Sequence, residues 1–362
     1  ANATTTVIGL ITGTYVFRWT ISNGICTSTQ DDVTITNSAL TVPGSLTANL
    51  TVCAPVNSGT LTLSGYTGSI IHWEYSVNGG SSWTNSAVTT ASYSFNNLTT
   101  TTQFRATVQN GACSVEISNT GTVTVQQPPS TANAGADQTI NGISSATLAA
   151  NNPGSGIGSW SQVSGPTTAA FTNINQYNTS VTGLAVGTYT FRWTISNGVC
   201  TNSSDDMVIV VEPATVAGTI NTDATVCATS GNGATLQLSG YTGTILQWES
   251  SINNGSSWSV ITNNTDQYTY SNLTTTTLYR ALVQSGIGTP AYSSIATITV
   301  MQPVTTANAG TDQTLCNQAV ANLLANQPTS GNGLWSFVSG PSTTNFSNNN
   351  AYNTSISGLS VG

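Results

Sequence analysis

The chain has 362 residues, room for two to three domains of ordinary size, and only 4% of them are charged, against about 25% in typical globular chains. There is no lysine; four arginines stand against twelve acids, for a net charge of −8. This balance argues against a phosphate-binding track for nucleic acid, and the regular recurrence of Trp and Tyr argues against disorder. No apolar run approaches the roughly 20 residues of a membrane-spanning helix. The longest, Met207–Val211, reads as a strand, so no membrane insertion is expected of this segment.

Self-similarity organises the chain. "GTYVFRWTISNG" at Gly13 returns as "GTYTFRWTISNG" at Gly187, 174 positions on. "LTLSGYTGSI" at Leu61 and "TANAGADQT" at Thr131 each return 175 positions later. A period this long holds two modules, which predicts a tandem array. Residues 1–38 then carry the closing strands of a first module type. Residues 39–127 are one copy of a second type, with strands "GTLTLSG", "IIHWEYSV", "SYSFNN", "TQFRATVQ" and "GTVTV". Residues 128–212 are a complete copy of the first type, where seven short strands include "TYTFRWTIS" and "DDMVIVV". In "TYTFRWTIS" apolar Tyr189, Phe191, Trp193 and Ile195 alternate with Thr190, Arg192 and Thr194, the period of a strand with one buried face. Residues 213–302 repeat the second type, and residues 303–362 open another copy of the first. Seven short strands in about 85 residues without helix predict β-sandwiches. Short joints at Pro128, Pro213 and Pro303 predict that these are joined end to end in an elongated rod.

Gly362 corresponds to Gly187, so residues 303–362 supply the first strands of a module and residues 1–38 the last ones. Neither half alone can bury Phe17 and Trp19, or Trp335 and Phe337. Ordered ends therefore require either more chain or complementation between molecules.

The first module type, with "ANAGADQTI", "WSQVSGP" and "DDMVIVV", resembles the polycystic-kidney-disease (PKD) type of immunoglobulin-like domain. It lacks the acidic turn many of those carry, reading "NNPGSGIG" there, so no calcium site is carried over. The second type, with "LSGYTG", "WESSINNGSSW" and "NLTTTTLYRALVQSG", resembles the immunoglobulin-like repeats of giant secreted Bacteroidota proteins, including adhesins of the gliding-motility (SprB) type. The resemblance implies a non-enzymatic stalk or spacer on the bacterial outer surface, exported by the type IX route and requiring no cofactor. Its partners would be neighbouring repeats of the same long chain, and a surface polysaccharide or substratum reached through other regions. The alternative is an accessory, carbohydrate-binding repeat region of a secreted polysaccharide-degrading enzyme or protease.

Candidate sites are few. His72 is the sole histidine and Gln247 replaces it in the next copy, so it reads as a solvent-facing strand residue. Asp31-Asp32 and Asp205-Asp206 invite a calcium reading, but adjacent strand residues point to opposite faces, which favours solvated strand starts near Arg18 and Arg192. Glu74 with Arg105, and Glu249 with Arg280, are expected to form cross-strand ion pairs on an exposed sheet face. Trp83 and Trp258 read either as edge packing or as sugar-stacking platforms. The sequons at Asn97 and Asn272 read as chance in so polar a chain.

Six cysteines without a CxxC or a Cys/His cluster predict disulfides in an oxidising compartment. In an immunoglobulin-like sandwich Cys53 and Cys113 would share one pole, so a Cys53–Cys113 bridge is expected. By the same geometry Cys316 would pair just past residue 362 and Cys26 before residue 1. Gly288 stands where Cys113 would recur, and Asn141 stands at the counterpart of Cys316. Cys200 and Cys227 are then expected to be unpaired thiols shielded by packing.

Overall fold

Alternation of large apolar with hydroxyl-bearing residues, broken by Gly and Asn, makes the chain a succession of short strands. The computed structural model describes residues 4–47, 49–221, 223–229 and 231–360, and every regular element in it is a strand. Gly362 lies outside the described residues. The chain divides into two units. One holds residues 1–138, 145–184 and 188–209; the other holds residues 139–144, 185–187 and 210–362.

Gly13–Ile21 and Thr29–Asn37 form a two-stranded antiparallel hairpin with Arg18 opposite Asp32. The next module is a two-sheet sandwich. Its smaller sheet orders Ser45–Thr47, Ser58–Ser64 and Ser92–Asn96. Its larger sheet runs Leu50–Cys53, Gly121–Gln126, Thr102–Gln109, Ser69–Ser76 and Thr84–Ser86, with Glu116–Ile117 also on Thr102–Gln109. The opening strand is therefore split. Ser45–Thr47 stays antiparallel in the smaller sheet, while Leu50–Cys53 crosses over and runs parallel to Gly121–Gln126, with Cys53 opposite Gln126. Inward-facing Leu61, Leu63, Trp73, Phe104, Ala106, Val108 and Val123 are fully buried between the sheets. Tyr93 sits between Trp73 and Phe104, its ring centroid 5.4 and 5.2 Å from theirs. The Trp73 indole N–H donates to Thr90 O at 2.9 Å, so the largest core side chain leaves no polar atom unmet.

The complete PKD-like module has a four-stranded sheet in the order Gln138–Asn141, Ser203–Glu212, Gly187–Ser196, Ile157–Ser164. Ser145–Ala149, Asn178–Thr182 and Ala170–Phe171 form its second sheet. Tyr189, Phe191, Trp193 and Ile195 are fully buried, as the period-two pattern requires. Phe171 meets Phe191 edge-on at 5.6 Å and Trp160 meets Trp193 at 5.2 Å.

In the other unit the second immunoglobulin-like module repeats the first, strand for strand. Ala224–Cys227 runs parallel to Ala296–Met301, and Trp248 takes the place of Trp73. Beyond it, residues 303–360 form one three-stranded sheet of Val320–Leu324, Asn353–Ser357 and Asn345–Phe346. These modules make the protein a tandem array of β-sandwiches.

Candidate functional site

In both immunoglobulin-like modules the third strand carries a bulge after its first apolar residue, and this sets Glu74 opposite Arg105 and Glu249 opposite Arg280. Arg105 Nε donates to Glu74 Oε2, and Arg280 Nε donates to Glu249 Oε2 at 2.7 Å. The pairs are less exposed than expected. Glu249 is buried, and the Glu74 and Arg105 side chains are only 13% and 25% exposed. The reason is an aromatic cover that sequence reasoning missed. The Arg105 guanidinium lies 3.9 Å from the centre of the Trp83 ring, and that of Arg280 lies 3.9 Å from Trp258 and 3.6 Å from Tyr292. Tyr292 also donates its hydroxyl to Glu249 Oε1 at 3.3 Å, as does Gln247 Nε2 at 2.7 Å. Where Gln247 stands, the first copy has His72, whose Nε2 is 3.7 Å from Glu74 Oε1.

The turn before each tryptophan holds this cover in place. Ser76 Oγ accepts from Gly80 N at 2.9 Å, and Asn78 Oδ1 accepts from Ser82 N at 3.0 Å. The same bonds recur at Ser251, Asn253, Gly255 and Ser257. Positive φ at Gly79 and Gly80, and at Asn254 and Gly255, lets the chain reverse in so few residues. The legible signal was the repeated "NG(G)SSW" beside each module's one arginine. One ring face of each tryptophan is therefore taken by its own arginine.

The aspartate pairs split between two faces. Asp206 accepts a two-pronged bond from Arg192 at 2.7 and 2.8 Å, while Asp205 Oδ2 accepts from Ala134 N at 2.8 Å. Asp32 pairs with Arg18 in the same fork. The guanidiniums hold Asp32 and Asp206 below the usual carboxylate range, chiefly through these hydrogen bonds. Among the described residues no three His, Cys, Asp or Glu side chains come close enough together to hold a metal ion.

The joints between modules hold the chemistry that spacing did not locate. Cys53 is bonded to Cys200 across a joint, with 5.1 Å between their Cα atoms, so the expected Cys53–Cys113 bridge is corrected, and Cys200 is not a thiol. The split first strand explains the correction. A segment parallel to the last strand ends where that strand ends, so Cys53 lies beside Gln126 at the exit of its module. Cys113 lies at the entry instead, its Sγ donating to Ala39 O at 3.2 Å. Cys227, expected to be shielded, is an exposed thiol, and Cys26 and Cys316 are exposed thiols as well. Around the bridge the Asn197–Gly198 turn sits on the linker: Asn197 Nδ2 donates to Gln127 O at 2.7 Å and Val199 N to Gln126 Oε1 at 2.8 Å.

Sheets, cores and joints define a tandem array of immunoglobulin-like and PKD-type repeats. A family model described as "Domain of unknown function (DUF8696)" matches residues 42–127 and again 216–302, and a second, describing a PKD domain, matches residues 134–211. Among solved structures, the chain is similar to an I-band fragment of titin (11% identity, TM-score 0.48, 74% of this chain and 99% of that one). It is similar over a shorter stretch to the PKD domain of the KIAA 1837 protein (29% identity, TM-score 0.21, 23% of this chain and 85% of that one). A Ca2+-stabilised, ice-binding adhesin of an Antarctic bacterium is also similar (14% identity, TM-score 0.29, 79% of this chain and 81% of that one). No curated protein matches the chain.

Proposed function

We propose that this segment is a non-catalytic spacer in a very large secreted adhesin or surface filament on the bacterial outer surface. Its modules would fall at residues 1–38, 39–127, 128–212, 213–302 and 303–362, and would carry an adhesive region away from the cell. The observation that supports this reading is the covalent joint between Cys53 and Cys200. A bond between modules, added to turn-on-linker hydrogen bonds, limits how far neighbours can swing, which a spacer under tension needs and a freely hinged accessory domain does not. The low charge fits the same role, because uncharged polar surfaces keep their properties as ionic strength changes. The two arginine-covered tryptophans favour a structural role over sugar stacking.

The 362-residue chain, added in excess to cells of the producing organism, should leave their attachment to surfaces unchanged, while an antibody against it should label intact cells. Competition by the chain would place the ligand site inside it and overturn the spacer reading. Polysaccharide hydrolysis by the chain would overturn it in favour of an enzyme.

A further inference from the structure

A folded module yields to tension by giving up hydrogen bonds, whereas a covalent bond passes the tension on. Where a chain is bridged to itself, the shorter covalent branch carries the load. Cys53 and Cys200 are 147 positions apart in sequence, yet their Cα atoms lie 5.1 Å apart across the bond. Every residue from 54 to 199 sits in the longer branch. Fully stretched at about 3.4 Å per residue, that branch reaches about 500 Å, so it stays slack while the bond holds.

The fold decides what lies in each branch. The closed loop holds most of both cores, with Trp73, Phe104 and Val123 of the immunoglobulin-like module and Trp160, Tyr189 and Trp193 of the PKD-like module. It also holds the peptide linker, where Gln127 O accepts from Asn197 Nδ2 and Gln126 Oε1 from Val199 N. Outside the loop lie Ser45–Thr47 and Leu50–Cys53 on the upstream side, and Ser203–Glu212 on the downstream side.

Strand direction brings the two cysteines to the joint. Leu50–Cys53 runs parallel to Gly121–Gln126, with Leu50 opposite Val123 and Cys53 opposite Gln126, so two strands leave the module side by side. One continues as the peptide linker and the other as the disulfide. Across the joint Cys200 N donates to Asn197 O at 3.1 Å, and the chain then enters Ser203–Glu212, the strand that ends its module. Strands are already close to full extension, at about 3.3 Å per residue. Tension entering at residue 39 and leaving at residue 212 therefore runs along extended backbone, through the bond and along extended backbone again. It pulls these strands straight rather than away from their neighbours. The joint at Pro213 is closed by hydrogen bonds instead: Asn141 Nδ2 donates to Ser285 O at 2.8 Å, and Ile287 N to Glu212 Oε2 at 2.9 Å.

We propose that the Cys53–Cys200 bond is a load path that takes tension past the cores of both modules and makes this stretch of the chain inextensible while it is oxidised. The use of this path by the organism rests on the spacer reading; the path itself rests on the bond and the strands that lead to it. Both cores stay folded and unloaded under a pull, and the pair lengthens only when a reductant opens the bond.

The test pulls the full 362-residue chain between its two ends in a single-molecule force experiment, oxidised and after reduction with dithiothreitol. The reduced chain should lengthen about 500 Å further than the oxidised one, while residues 213–302, outside the loop, should release about 300 Å in both. Cys53→Ser should behave under oxidising conditions as the reduced chain does. Trp73→Phe, inside the loop, should lower the rupture force of its module in the reduced chain and leave the oxidised trace unchanged. Equal lengthening with and without reductant would overturn the load path. An oxidised trace that shifts with Trp73→Phe would overturn it too, because tension would then be crossing the core. Either failure leaves the spacer reading standing, since attachment and antibody labelling on cells decide that reading separately.

Discussion

Two buried tryptophans in equivalent cores are not chemically equivalent. Trp73 Nε1 reaches Thr90 O, whereas Trp193 Nε1 is buried with no acceptor among the described residues. Removing the indole N–H of Trp73 loses a hydrogen bond to Thr90 O, about 0.5–1.5 kcal/mol beyond the lost packing; at Trp193 there is no such bond to lose. Trp73→Phe should therefore lower the denaturation midpoint of its module more than Trp193→Phe does, as chemical unfolding would show. Tyr279 differs from its counterpart Phe104 in carrying an ionisable group. Burial first, then the neighbouring Tyr268 and Tyr270, push its phenol well above the ordinary value of 10.0. The folded module holds this proton where the unfolded chain releases it, so its contribution is complete below about pH 10 and is lost as pH rises beyond that. The second immunoglobulin-like module should unfold at lower alkalinity than the first. Tyr279→Phe should remove that difference in a pH titration followed by near-ultraviolet circular dichroism.

Facing strands turn single charges into a packed cluster. Glu249 is held by Arg280, Gln247 and Tyr292, with Trp258 stacked on that arginine, while Glu74 has Arg105, on which Trp83 stacks, and the more distant His72. The side chain of Glu249 is 7% exposed against 13% for Glu74, so its carboxylate depends more on its partner. Arg280→Met should cost about 1.5–3 kcal/mol, the range for hydrogen bonds to charged groups, and Arg105→Met less. A double-mutant cycle with Glu249→Gln separates the pair from the lost stacking on Trp258. A coupling near zero would make the arginine a packing element alone. The NG(G)SSW turn and its arginine were both legible in sequence. Their meeting was not, because it depends on how far the short strand after the turn carries the tryptophan back across the sheet.

For the molecule as a chain of modules, the joint matters more than any core. The Cys53–Cys200 bond spans 147 positions, yet each module it links has its own sandwich core. Replacing both cysteines by serine should thus leave the strand content and the core tryptophan signals of each module in place. The change should show at the joint. Val199 N, bonded to Gln126 Oε1, should lose protection against hydrogen exchange, while core amides such as those of Phe104 and Phe191 keep theirs. Equal loss throughout both modules would show that the bond stabilises the folds themselves rather than their connection.

What the sequence determined by itself was local and periodic. The 175-residue repeat set the module order. Alternation in "TYTFRWTIS" chose Tyr189, Phe191, Trp193 and Ile195 for the core, and the Asn197–Gly198 turn ended the strand. These features lie within a few residues of each other or recur at a constant offset, so they can be read without coordinates. Which cysteines meet was decided only by the tertiary structure. Cys53 changes sheets halfway along the module's first strand, and that crossover carries it to the exit, out of reach of Cys113 and against Cys200. Nothing in its spacing marks the crossover, because it is imposed by the register with Gly121–Gln126, a strand some seventy residues further along the chain.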